Sequence, residues 1–549
     1  MPNKVSDLRT AIDSTVRPGM ALHFALSQSR ANAAIRELLR MYSGSTPEFT
    51  LSSTGFGGPQ LGLFPLALGL ASRLVTGFVG NQYPSPGPCR VVNAKIDDGT
   101  IELEPWSLLS FLQRLGAAAR GEDWAPTRSL DGSSLANSEN VRATSEGTFV
   151  RAFRPDVTFL HGVVADEDGN TVLSTPIGEG TVGAAAARLG AIVTVERIVS
   201  RSDLCALAGA PMLPGSHVLA VCESRYGAHP SGVFAGPTLT DLSYSDDYDF
   251  IVETFDALRL PKEELDAWVE SRLLTTETDH DRMAQLEAAA HSPVYRGVEA
   301  SRSPGVVPTD EELMIVVAAR AIATIVDGNN VPKHVLAGIG SSSLAAWLAK
   351  AQASHFPPLI SEVGFYDYDP VRGNPFLFYF PNLKTTAGLT STEEILGNLV
   401  QGQGSDSLGV LAAGQIDRAG NTNSSRIDGR WLTGSGGAND VASGARRNLV
   451  LIPHRPGRLV DSVEYVTSPG RNVVAIATNL GLLERAEDGE FELTKIIPEP
   501  DWGTAVETAR ASTPWPLRVS ENLRAWEPPS SDELETLHSF DPDGFFLGR

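Results

Sequence analysis

Pro358-Leu359-Ile360-Ser361-Glu362-Val363-Gly364-Phe365 contains an apolar run that ends in one carboxylate, with a glycine two residues later. Upstream, Leu336-Ala337-Gly338-Ile339-Gly340 predicts another buried strand that ends in a glycine turn, and residues 343–353 between the two have helical spacing. The order strand, turn, helix, strand places Glu362 at the carboxyl end of a parallel strand, the edge at which open α/β sheets bind ligands. A single carboxylate after a strand is also common on a solvated loop. A functional role for Glu362 therefore needs support from the rest of the chain.

A similar order of elements is predicted in both halves of the chain. In the first half we expect helices at residues 31–41, 61–74 and 108–120, a strand and glycine turn at 49–58, and strands at 90–94, 157–164, 171–173 and 191–195. In the second half we expect helices at residues 311–326 and 343–353, and strands at 335–340, 359–361, 407–415 and 449–453.

A short polar turn occurs at the same place in both halves. Asp166-Glu167-Asp168-Gly169-Asn170-Thr171 matches Asp417-Arg418-Ala419-Gly420-Asn421-Thr422, and each follows an apolar strand. Asn and Gly tolerate a positive φ, and an Asp side chain can cap such a turn. One such turn is common, but two in the same topological position predict an internal duplication. The predicted fold is therefore α/β, with two related open α/β domains packed face to face and the site between them.

The two halves meet in acidic, polar sequence that contains the run Ser245-Asp246-Asp247-Tyr248-Asp249. Residues 262–289 are predicted to form one or two surface helices, and residues 514–549 an extended tail lying over the second domain. The predicted divisions of the chain are a first domain at 1–291, an acidic helical insertion within it at about 226–291, an exposed Ser/Pro-containing linker at 292–308, and a second domain at 309–549.

The composition restricts the class of protein. The chain has 549 residues, too many for one ordinary hydrophobic core, and 42% of them are hydrophobic, as in globular proteins. The formal net charge of −22 argues against nucleic acid and anionic membranes as partners. Cys89, Cys205 and Cys222 form no CxxC pair, which suits a reducing cytoplasm. No signal peptide is predicted at residues 1–13, and no apolar run approaches the length of a membrane span.

Several familiar motifs are incomplete. Gly55-Phe56-Gly57-Gly58-Pro59-Gln60 lacks the last glycine of a dinucleotide fingerprint, and neither it nor Gly338-Ile339-Gly340 ends like a P-loop. The histidines are dispersed, and such residues more often satisfy local hydrogen bonds than bind metal; among them are His161, His229 and His454. We therefore predict no metal site.

One glycine-rich loop is a better candidate for ligand binding. Thr433-Gly434-Ser435-Gly436-Gly437-Ala438-Asn439-Asp440 precedes a predicted helix at residues 441–446. Its small residues would let backbone N–H groups face an anionic ligand beside the beginning of that helix. A tight loop needed only for packing would have the same composition.

Taken together, these motifs resemble the class I coenzyme A transferases, most closely the glutaconate CoA-transferase branch. Family members have two related subunits, each an open α/β domain, so the resemblance implies that two subunits are fused here. It covers most of the chain, with the motifs in family order. Those in the first half are Gly55-Phe56-Gly57-Gly58, Glu104-Pro105-Trp106-Ser107, Pro126-Thr127-Arg128-Ser129-Leu130, Arg154-Pro155-Asp156-Val157 and Gly227-Ala228-His229-Pro230-Ser231. Those in the second half are Glu362-Val363-Gly364, Gly434-Ser435-Gly436-Gly437-Ala438-Asn439-Asp440 and Thr467-Ser468-Pro469-Gly470.

The resemblance implies roles for particular residues. Glu362 corresponds to the family's nucleophilic glutamate, and Gly436 or Gly437 to its backbone oxyanion donor. The residues implied in CoA or substrate binding are Gly55, Gly57, Gly58, Gly338, Gly340, Gly364, Gly434, Ala438 and Asn439, and those implied in the substrate pocket are Trp106, Ser107 and Phe365.

Two positions depart from the family's pattern. Val363 stands where the family has a small or polar residue. Trp106 and Ser107 stand where the ketoacid branch has a glutamine. The resemblance therefore does not identify which residue of the first half would contact the oxyanion.

The implied activity is transfer of CoA between an acyl-CoA and a free carboxylic acid in a ping-pong reaction. A carboxylate nucleophile can form an acyl-glutamyl anhydride and then a glutamyl-CoA thioester, and backbone amides can stabilise the oxyanions. No metal or tightly bound cofactor is implied, because the CoA thioester is itself a substrate. The expected partners are these small molecules and a second copy of the chain, in a cytoplasmic homodimer of fused halves.

Two other functions remain open. A hydrolase of CoA thioesters or of carbon–carbon bonds on the same fold would use Glu102 or Glu104 as a base. A non-catalytic acyl-CoA sensor would keep the fold without the chemistry. The presence of Glu362 in a Glu-x-Gly segment favours the transferase.

Overall fold

The computed structural model describes residues 3–26, 30–275, 307–498 and 501–549. Each half of the chain builds a large sheet with a parallel centre, and helices pack against each sheet. The central strands are almost wholly buried, as their β-branched, apolar sequences predict for strands of a parallel sheet.

The sheet of the first half contains nine strands. Seven of them run parallel, in the spatial order Val218–Glu223, Gly190–Ile198, Val157–Ala165, Ala21–Phe24, Phe49–Ser53, Ala71–Thr76 and Glu102–Pro105. The antiparallel strands Thr171–Val172 and Met212–Leu213 complete it. A separate small sheet contains Trp124–Thr127, Val141–Thr144 and Gly147–Arg151.

The sheet of the second half contains ten strands. Its parallel centre has the order Val473–Ala477, Arg447–Leu451, Ser407–Ala412, His334–Ala337 and Leu359–Ile360. The strands Phe365–Tyr366 and Gly388–Leu389 extend one side, and Gly481–Arg485, Phe491–Ile496 and Arg518–Ala525 extend the other. Shorter strands outside this sheet are Gln415–Asp417, Thr422–Asn423, Arg426–Ile427, Arg430–Trp431 and Leu459–Val460.

The helices connect and cover the two sheets. In the first half they are Leu8–Thr15, Asn32–Tyr42, Leu63–Ala67, Arg90–Asp97, Leu108–Ala119, Gly180–Ala186, Arg201–Cys205, Tyr248–Ala257 and Lys262–Val269. In the second half they are Asp310–Val326, Ser341–Gln352, Ala438–Gly444, Trp502–Ala511 and Ser531–Phe540.

The central strands follow the same topology in both halves. The first strand of the parallel centre is Ala21–Phe24 in the first half and His334–Ala337 in the second half. In each half, the next strand along the chain pairs with one side of it. In each half, three later strands lie on its other side, in chain order outward. In the first half, Ala71–Thr76 and Glu102–Pro105 also extend the side of the second strand. This shared order confirms the predicted fold of two related α/β domains.

The polar turn is held by the same hydrogen bonds in both halves. Asp166 Oδ1 accepts from the backbone N–H of Asn170 at 2.9 Å, and Asp417 Oδ1 accepts from that of Asn421 at 2.9 Å. The side-chain Nδ2 of each Asn donates to its Asp, at 2.8 Å in the first half and 3.1 Å in the second. The predicted duplication is therefore visible in individual hydrogen bonds.

Two predicted elements of the first half are wrong. Val91 and Val92 favour a strand at residues 90–94, but these residues belong to the helix Arg90–Asp97. That helix turns Asn93 toward the second half, where its side chain donates to the Trp431 carbonyl at 2.8 Å. This long-range contact outweighs a local strand preference.

The predicted helix at residues 61–74 is also wrong in extent. It divides into the helix Leu63–Ala67 and the strand Ala71–Thr76, because the chain reverses at Gly69 with a φ of 79°.

The C-terminal residues differ from the predicted extended tail. The strand Arg518–Ala525 extends the second sheet, and the helix Ser531–Phe540 buries Leu537 and Phe540 in the core of the second half. The predicted surface helices are described as far as Lys262–Val269 and the following helical turns. The rest of that region and the linker, apart from Val307 and Pro308, lie outside the described residues. Within the described part of the chain, no helix has the length and apolar character needed to span a bilayer.

Backbone hydrogen bonds join the two halves. The Val79 N–H donates to the Thr433 carbonyl at 2.7 Å, and the Gly436 N–H donates to the Gly77 carbonyl at 3.0 Å. The Leu108 N–H donates in turn to the Gly436 carbonyl at 3.2 Å. The glycine-rich loop of the second half is thus fixed against the first half by its main chain.

The turn at Asp417 should be important for stability. Asp417→Ala removes a buried acceptor that serves the part-buried N–H groups of Ala419 and Asn421, so both donors lose their partner. We expect a loss of about 2 kcal/mol or more, seen as a fall of several degrees in the midpoint of thermal unfolding. The exposed neighbour Arg418 is the control, and Arg418→Ala should leave the midpoint nearly unchanged. Equal effects of both substitutions would contradict this view of the turn.

We propose that residues 1–291 and 309–549 are the two domains, and coexpression of these fragments as separate chains tests the division. Since the halves are joined by hydrogen bonds between their main chains, the fragments should copurify as a complex that transfers CoA. Insoluble or non-associating fragments would contradict the proposed boundaries.

Candidate active site

Glu362 follows a parallel strand, as predicted. The strand Leu359–Ile360 pairs with His334–Ala337, and the chain turns directly after it. In this turn the Gly364 N–H donates to the Ser361 carbonyl at 3.0 Å. Glu362 is therefore held in a short, hydrogen-bonded turn at the carboxyl edge of the sheet.

Gly364 is required for this turn. Its φ is 113°, a conformation that L-residues rarely adopt. A Cβ at this position would also overlap the Thr390 carbonyl and Pro176, which belongs to the first half. The turn that carries Glu362 thus lies at the boundary between the halves.

The Glu362 carboxylate lies against the backbone of Gly437. Gly437 directly precedes the helix Ala438–Gly444, and its N–H lies near enough to Glu362 to lower the pKa of that carboxyl group. A Cβ on Gly437 would overlap Glu362 Oε2, although its φ of −86° is open to any residue. The Gly436 N–H is already bonded to Gly77. Of the two predicted oxyanion donors, Gly437 is therefore the one whose N–H faces Glu362.

A second carboxylate, the fully buried Asp440, lies close to Gly437 in the chain. Asp440 Oδ1 accepts from the Ser107 hydroxyl at 2.6 Å, and Oδ2 accepts from the Leu109 N–H at 3.0 Å. Both donors are at the beginning of the helix Leu108–Ala119, where N–H groups lack partners within the helix. These bonds join the glycine-rich loop to a helix of the other half.

Both carboxylates have a raised affinity for protons, although Asp440 is fully buried and Glu362 is partly exposed. Burial, and then the charge of Asp440, raise the pKa of Glu362 to about 7, against the lowering effect of the Gly437 N–H. Burial likewise raises the pKa of Asp440 to about 6, despite the hydrogen bonds from Leu109 and Ser107. Glu362 is therefore a partly exposed carboxylate of unusually high basicity.

A cavity next to Glu362 opens between the halves. It has an empty volume of about 570 Å³, its mouth included. Its apolar walls come from both halves: Leu26, Leu108 and Leu112 from the first, and Val363, Phe376 and Phe378 from the second. Val363, which lines the cavity, follows Glu362 directly in the chain, so the cavity reaches the turn that carries the candidate nucleophile.

Three charged residues of the first half also line the cavity: Arg30, Glu179 and Asp246. Glu179 accepts from the N–H groups of Leu26 at 2.9 Å and Thr54 at 3.0 Å, which hold the ends of two parallel strands. Burial raises the pKa of Glu179 to about 7 and that of Asp246 to about 6. Burial lowers the pKa of Arg30 to about 10, against the opposing charges of Asp246 and Glu179.

None of these three residues was predicted from the sequence. Asp246 belongs to the acidic run that suggested a solvated surface, yet only 7% of the residue is exposed. Glu179 stands between Gly178 and Gly180, and a lone carboxylate flanked by glycines was a signal that could have been used. Arg30 has no motif, and only the fold brings it to the cavity.

The other predicted site residues fall into three groups. Trp106 and Phe365 are fully buried in hydrophobic cores, while Ser107 bonds to Asp440. Gly364 and Gly434 pack against the opposite half, and Asn439 is buried against Ser133 of that half. Ala438 packs on a cluster that includes Leu109 of the first half. The remaining predicted positions pack within their own half: Gly55, Gly57, Gly58, Gly338 and Gly340.

The carboxylates considered for a hydrolase are outside the cavity. Glu104 pairs with Arg114 and Arg73, each at 2.7 Å, and accepts from Trp106 Nε1. Although burial alone would raise the pKa of Glu104, these arginines lower it below its ordinary value. Glu102 is mostly exposed, on the far strand of the sheet. Neither is placed to serve as a base toward a ligand beside Glu362.

Comparisons with known proteins agree with this arrangement. Residues 5–224 match the sequence profile of the coenzyme A transferase family. The chain is similar to both subunits of 3-oxoadipate CoA-transferase from Pseudomonas knackmussii. With one of them it shares 31% identity over 257 residues, covering 42% of this chain and 92% of that subunit. With the other it shares 28% identity over 231 residues, covering 40% of this chain and 77% of that subunit. The acyl-CoA transferase YdiF from Escherichia coli O157:H7 has a similar fold, with a TM-score of 0.67, 14% identity and 95% of each chain covered.

The duplicated α/β fold and these similarities define the class: the chain belongs to the coenzyme A transferase family. It is an enzyme, a class I CoA-transferase in which the two different subunits are fused in one chain. The family resemblance seen in the sequence is thereby confirmed.

The raised pKa of Glu362 predicts an acidic limb in the pH profile of CoA transfer. A nucleophilic carboxylate reacts only when ionised, so kcat/KM should fall as the pH drops below about 7. Asp440→Asn removes the neighbouring negative charge, lowers the pKa of Glu362 and should move this limb to lower pH. The exposed Asp13 is the control, and Asp13→Asn should leave the limb in place. A limb that is insensitive to Asp440→Asn would exclude Glu362 as its source.

Proposed function

We propose that the enzyme moves CoA between an acyl-CoA and a free carboxylic acid, with Glu362 as the covalent nucleophile. The observation that carries this proposal is the Glu362 carboxylate in contact with the Gly437 N–H beside a cavity shared by both halves. Burial and the charge of Asp440 make that carboxylate basic, which favours nucleophilic attack once it is ionised.

In the first step, the ionised Glu362 attacks the thioester carbonyl of the acyl-CoA. The carbon–sulfur bond breaks, CoA leaves as a thiolate, and an acyl-glutamyl anhydride remains on the enzyme. The apolar walls of the cavity exclude water from this anhydride, which water would otherwise hydrolyse.

In the second step, the CoA thiolate attacks the glutamyl carbonyl of the anhydride. The carbon–oxygen bond to the acyl group breaks, the first acid leaves as a carboxylate, and Glu362 holds CoA as a thioester. A second carboxylic acid then repeats the two steps in reverse, so the enzyme returns unchanged and the charges balance.

Gly437 has a specific role in this scheme. When the thiolate attacks the glutamyl carbonyl, the negative charge develops on an oxygen of Glu362 itself. The Gly437 N–H already lies beside this carboxylate in the free enzyme, so a small adjustment lets it donate to the oxyanion. A single such donor typically contributes on the order of 100-fold or more to kcat.

The covalent intermediate provides the central test. Incubation with an acyl-CoA and no acceptor acid should leave a CoA thioester on Glu362, detected by intact mass and peptide mapping. Borohydride should reduce this thioester and inactivate the enzyme, and an acceptor acid should protect it. Glu362→Gln keeps the shape of the side chain but removes the anionic nucleophile, so exchange should fall by several orders of magnitude while CoA esters still bind.

Two further variants complete this experiment. Glu102→Gln removes a carboxylate outside the cavity and should keep normal exchange. Gly437→Ala is allowed by the backbone but overlaps Glu362 Oε2, so it should lose activity while the chain still folds. An adduct on Glu102 or Glu104, or normal exchange by Glu362→Gln, would overturn the proposal and favour the hydrolase.

A further inference from the structure

Glu179 occupies a position in the first half that corresponds to that of Gly437 in the second. Glu179 directly precedes the helix Gly180–Ala186, and Gly437 directly precedes the helix Ala438–Gly444. Each helix is followed by the parallel strand that pairs with the strand before the polar turn. The two helices are therefore counterparts in the duplicated fold, and so are the residues at which they begin.

Thr54 of the first half corresponds in position to Glu362 of the second. The registers of the parallel strands make Ser52 the counterpart of Ile360, and Thr54 and Glu362 each follow two residues later. Phe159 and Val410 correspond because each stands seven residues before the Asp of the polar turn. The register pairs that extend this match are Phe24 with Phe159 and His23 with Ser52 in the first half, and Ala337 with Val410 and Leu336 with Ile360 in the second.

Both halves contain a contact between a carboxylate and a backbone N–H, but its partners are exchanged. In the second half the carboxylate of Glu362 stands at the strand end and faces the N–H of Gly437 at the beginning of the helix. In the first half the carboxylate of Glu179 stands at the beginning of the helix. It accepts from the N–H of Thr54 at the strand end, with 3.0 Å to each oxygen. The duplication has thus kept the contact and moved the acid to the other side.

Glu179 is buried and fixed by further contacts, with only 1% of the residue exposed. Its Oε1 also accepts from the Leu26 N–H at 2.9 Å and from the Ser53 hydroxyl at 3.0 Å. The titratable and charged groups that face it are His23, whose Nε2 lies 4.0 Å from Oε1, and Arg30, which acts through its charge. These contacts make Glu179 a fixed support for the ends of two parallel strands.

A chain of backbone hydrogen bonds continues from Thr54 to the glycine-rich loop. The Gly77 N–H donates to the Thr54 carbonyl at 3.1 Å, and the Gly436 N–H donates to the Gly77 carbonyl at 3.0 Å. The approach is close, because a Cβ on Gly77 would lie 2.9 Å from the Thr54 carbonyl oxygen. The Gly436 carbonyl and the Gly437 N–H belong to one planar peptide group. A displacement of Thr54 should therefore move the amide that faces Glu362.

We propose that Glu179 is a positioning residue that sets the place of the Gly437 N–H beside Glu362, through these backbone hydrogen bonds. The inference rests on the proposed function, because it takes Glu362 as the reacting carboxylate. Glu179 belongs to the first half, so the support reaches the oxyanion donor across the boundary between the halves. Such coupling is measured by changing one end of the chain and following the other.

Two substitutions separate the contact of Glu179 from its charge. Glu179→Asp keeps the charge, but its side chain is one methylene too short to reach Leu26 and Thr54 together. Glu179→Gln loses the charge but keeps the oxygen that accepts from Leu26, Ser53 and Thr54. The measured quantity is the pKa of Glu362 in the ligand-free enzyme. Infrared titration follows the protonated carboxyl group, and the signal absent from Glu362→Gln belongs to Glu362.

The two substitutions should act in different directions. The Gly437 N–H lowers the pKa of Glu362, so its displacement raises that pKa. Glu179→Asp should therefore raise the pKa of Glu362 by on the order of one pH unit. It should also lower kcat for CoA transfer on the order of 10- to 100-fold, with a much smaller change in KM. Glu179→Gln removes a negative charge, so the pKa of Glu362 should stay in place or fall, and most of kcat should remain.

A matched control disturbs the opposite end of the same strand. Asp156 Oδ2 accepts from the Ala21 N–H at 2.8 Å, where the strand Ala21–Phe24 begins. Asp156→Ala should lower the midpoint of thermal unfolding but leave the pKa of Glu362 and kcat in place. A purely structural role of Glu179 would make Glu179→Asp behave in the same way.

A second variant tests the next link of the chain and decides the matter if Glu179→Asp does not fold. Gly77→Ala keeps Glu179 and its charge, but the added Cβ crowds the Thr54 carbonyl. It should raise the pKa of Glu362, as Glu179→Asp does.

The following results would overturn the inference: an unchanged pKa of Glu362 in folded Glu179→Asp or Gly77→Ala, the same rise in Glu179→Gln, or the same rise in Asp156→Ala. If the pKa of Glu362 responds to Glu179→Asp but no adduct forms on Glu362, the catalytic proposal fails while the positioning role stands.

Discussion

The buried hydrogen bonds of the Asp440 carboxylate determine the geometry of the site. They tie the glycine-rich loop of the second half to the beginning of a helix in the first, through Ser107 and Leu109. This fixes Gly437 at the point where its N–H meets Glu362. The same negative charge raises the proton affinity of Glu362. One interaction therefore joins the halves, places an amide and adjusts a carboxylate, which explains why a costly buried charge is kept.

The interior of the cavity has a different charge pattern from the surface. The chain carries a formal net charge of −22, which would repel anions at a distance. Inside, Arg30 presents a cation, and the nearby carboxylates of Glu179 and Asp246 have raised pKa values, so part of their negative charge is removed near neutral pH. The net charge of the chain therefore restricts which macromolecules can bind. The charged groups buried in the cavity wall determine which small anions fit.

The strand-end carboxylate and the duplication could be predicted from sequence because both depend on local patterns. An apolar run followed by a glycine turn gave the position of Glu362, and matching turns gave the duplicated topology. The sequence could not show whether the N–H of Gly436 or that of Gly437 faces Glu362. The answer depends on which of the two N–H groups donates to the Gly77 carbonyl. The residues missed or misplaced likewise depend on contacts far apart in the chain. Trp106 and Phe365 are close to the site in sequence, yet their side chains point into hydrophobic cores. Arg30 and Asp246 meet only after the first half has folded, and no periodicity or motif records such an approach.

The presence of both halves on one chain has a kinetic consequence for assembly. Halves made as separate chains must meet by diffusion, and the fraction assembled falls as they are diluted. A tether replaces this encounter by an intramolecular one, in which effective concentrations reach the order of millimolar. Synthesis also fixes the ratio of the two halves at one to one. The two walls of the cavity are therefore supplied together by each translated chain, whatever the abundance of the protein.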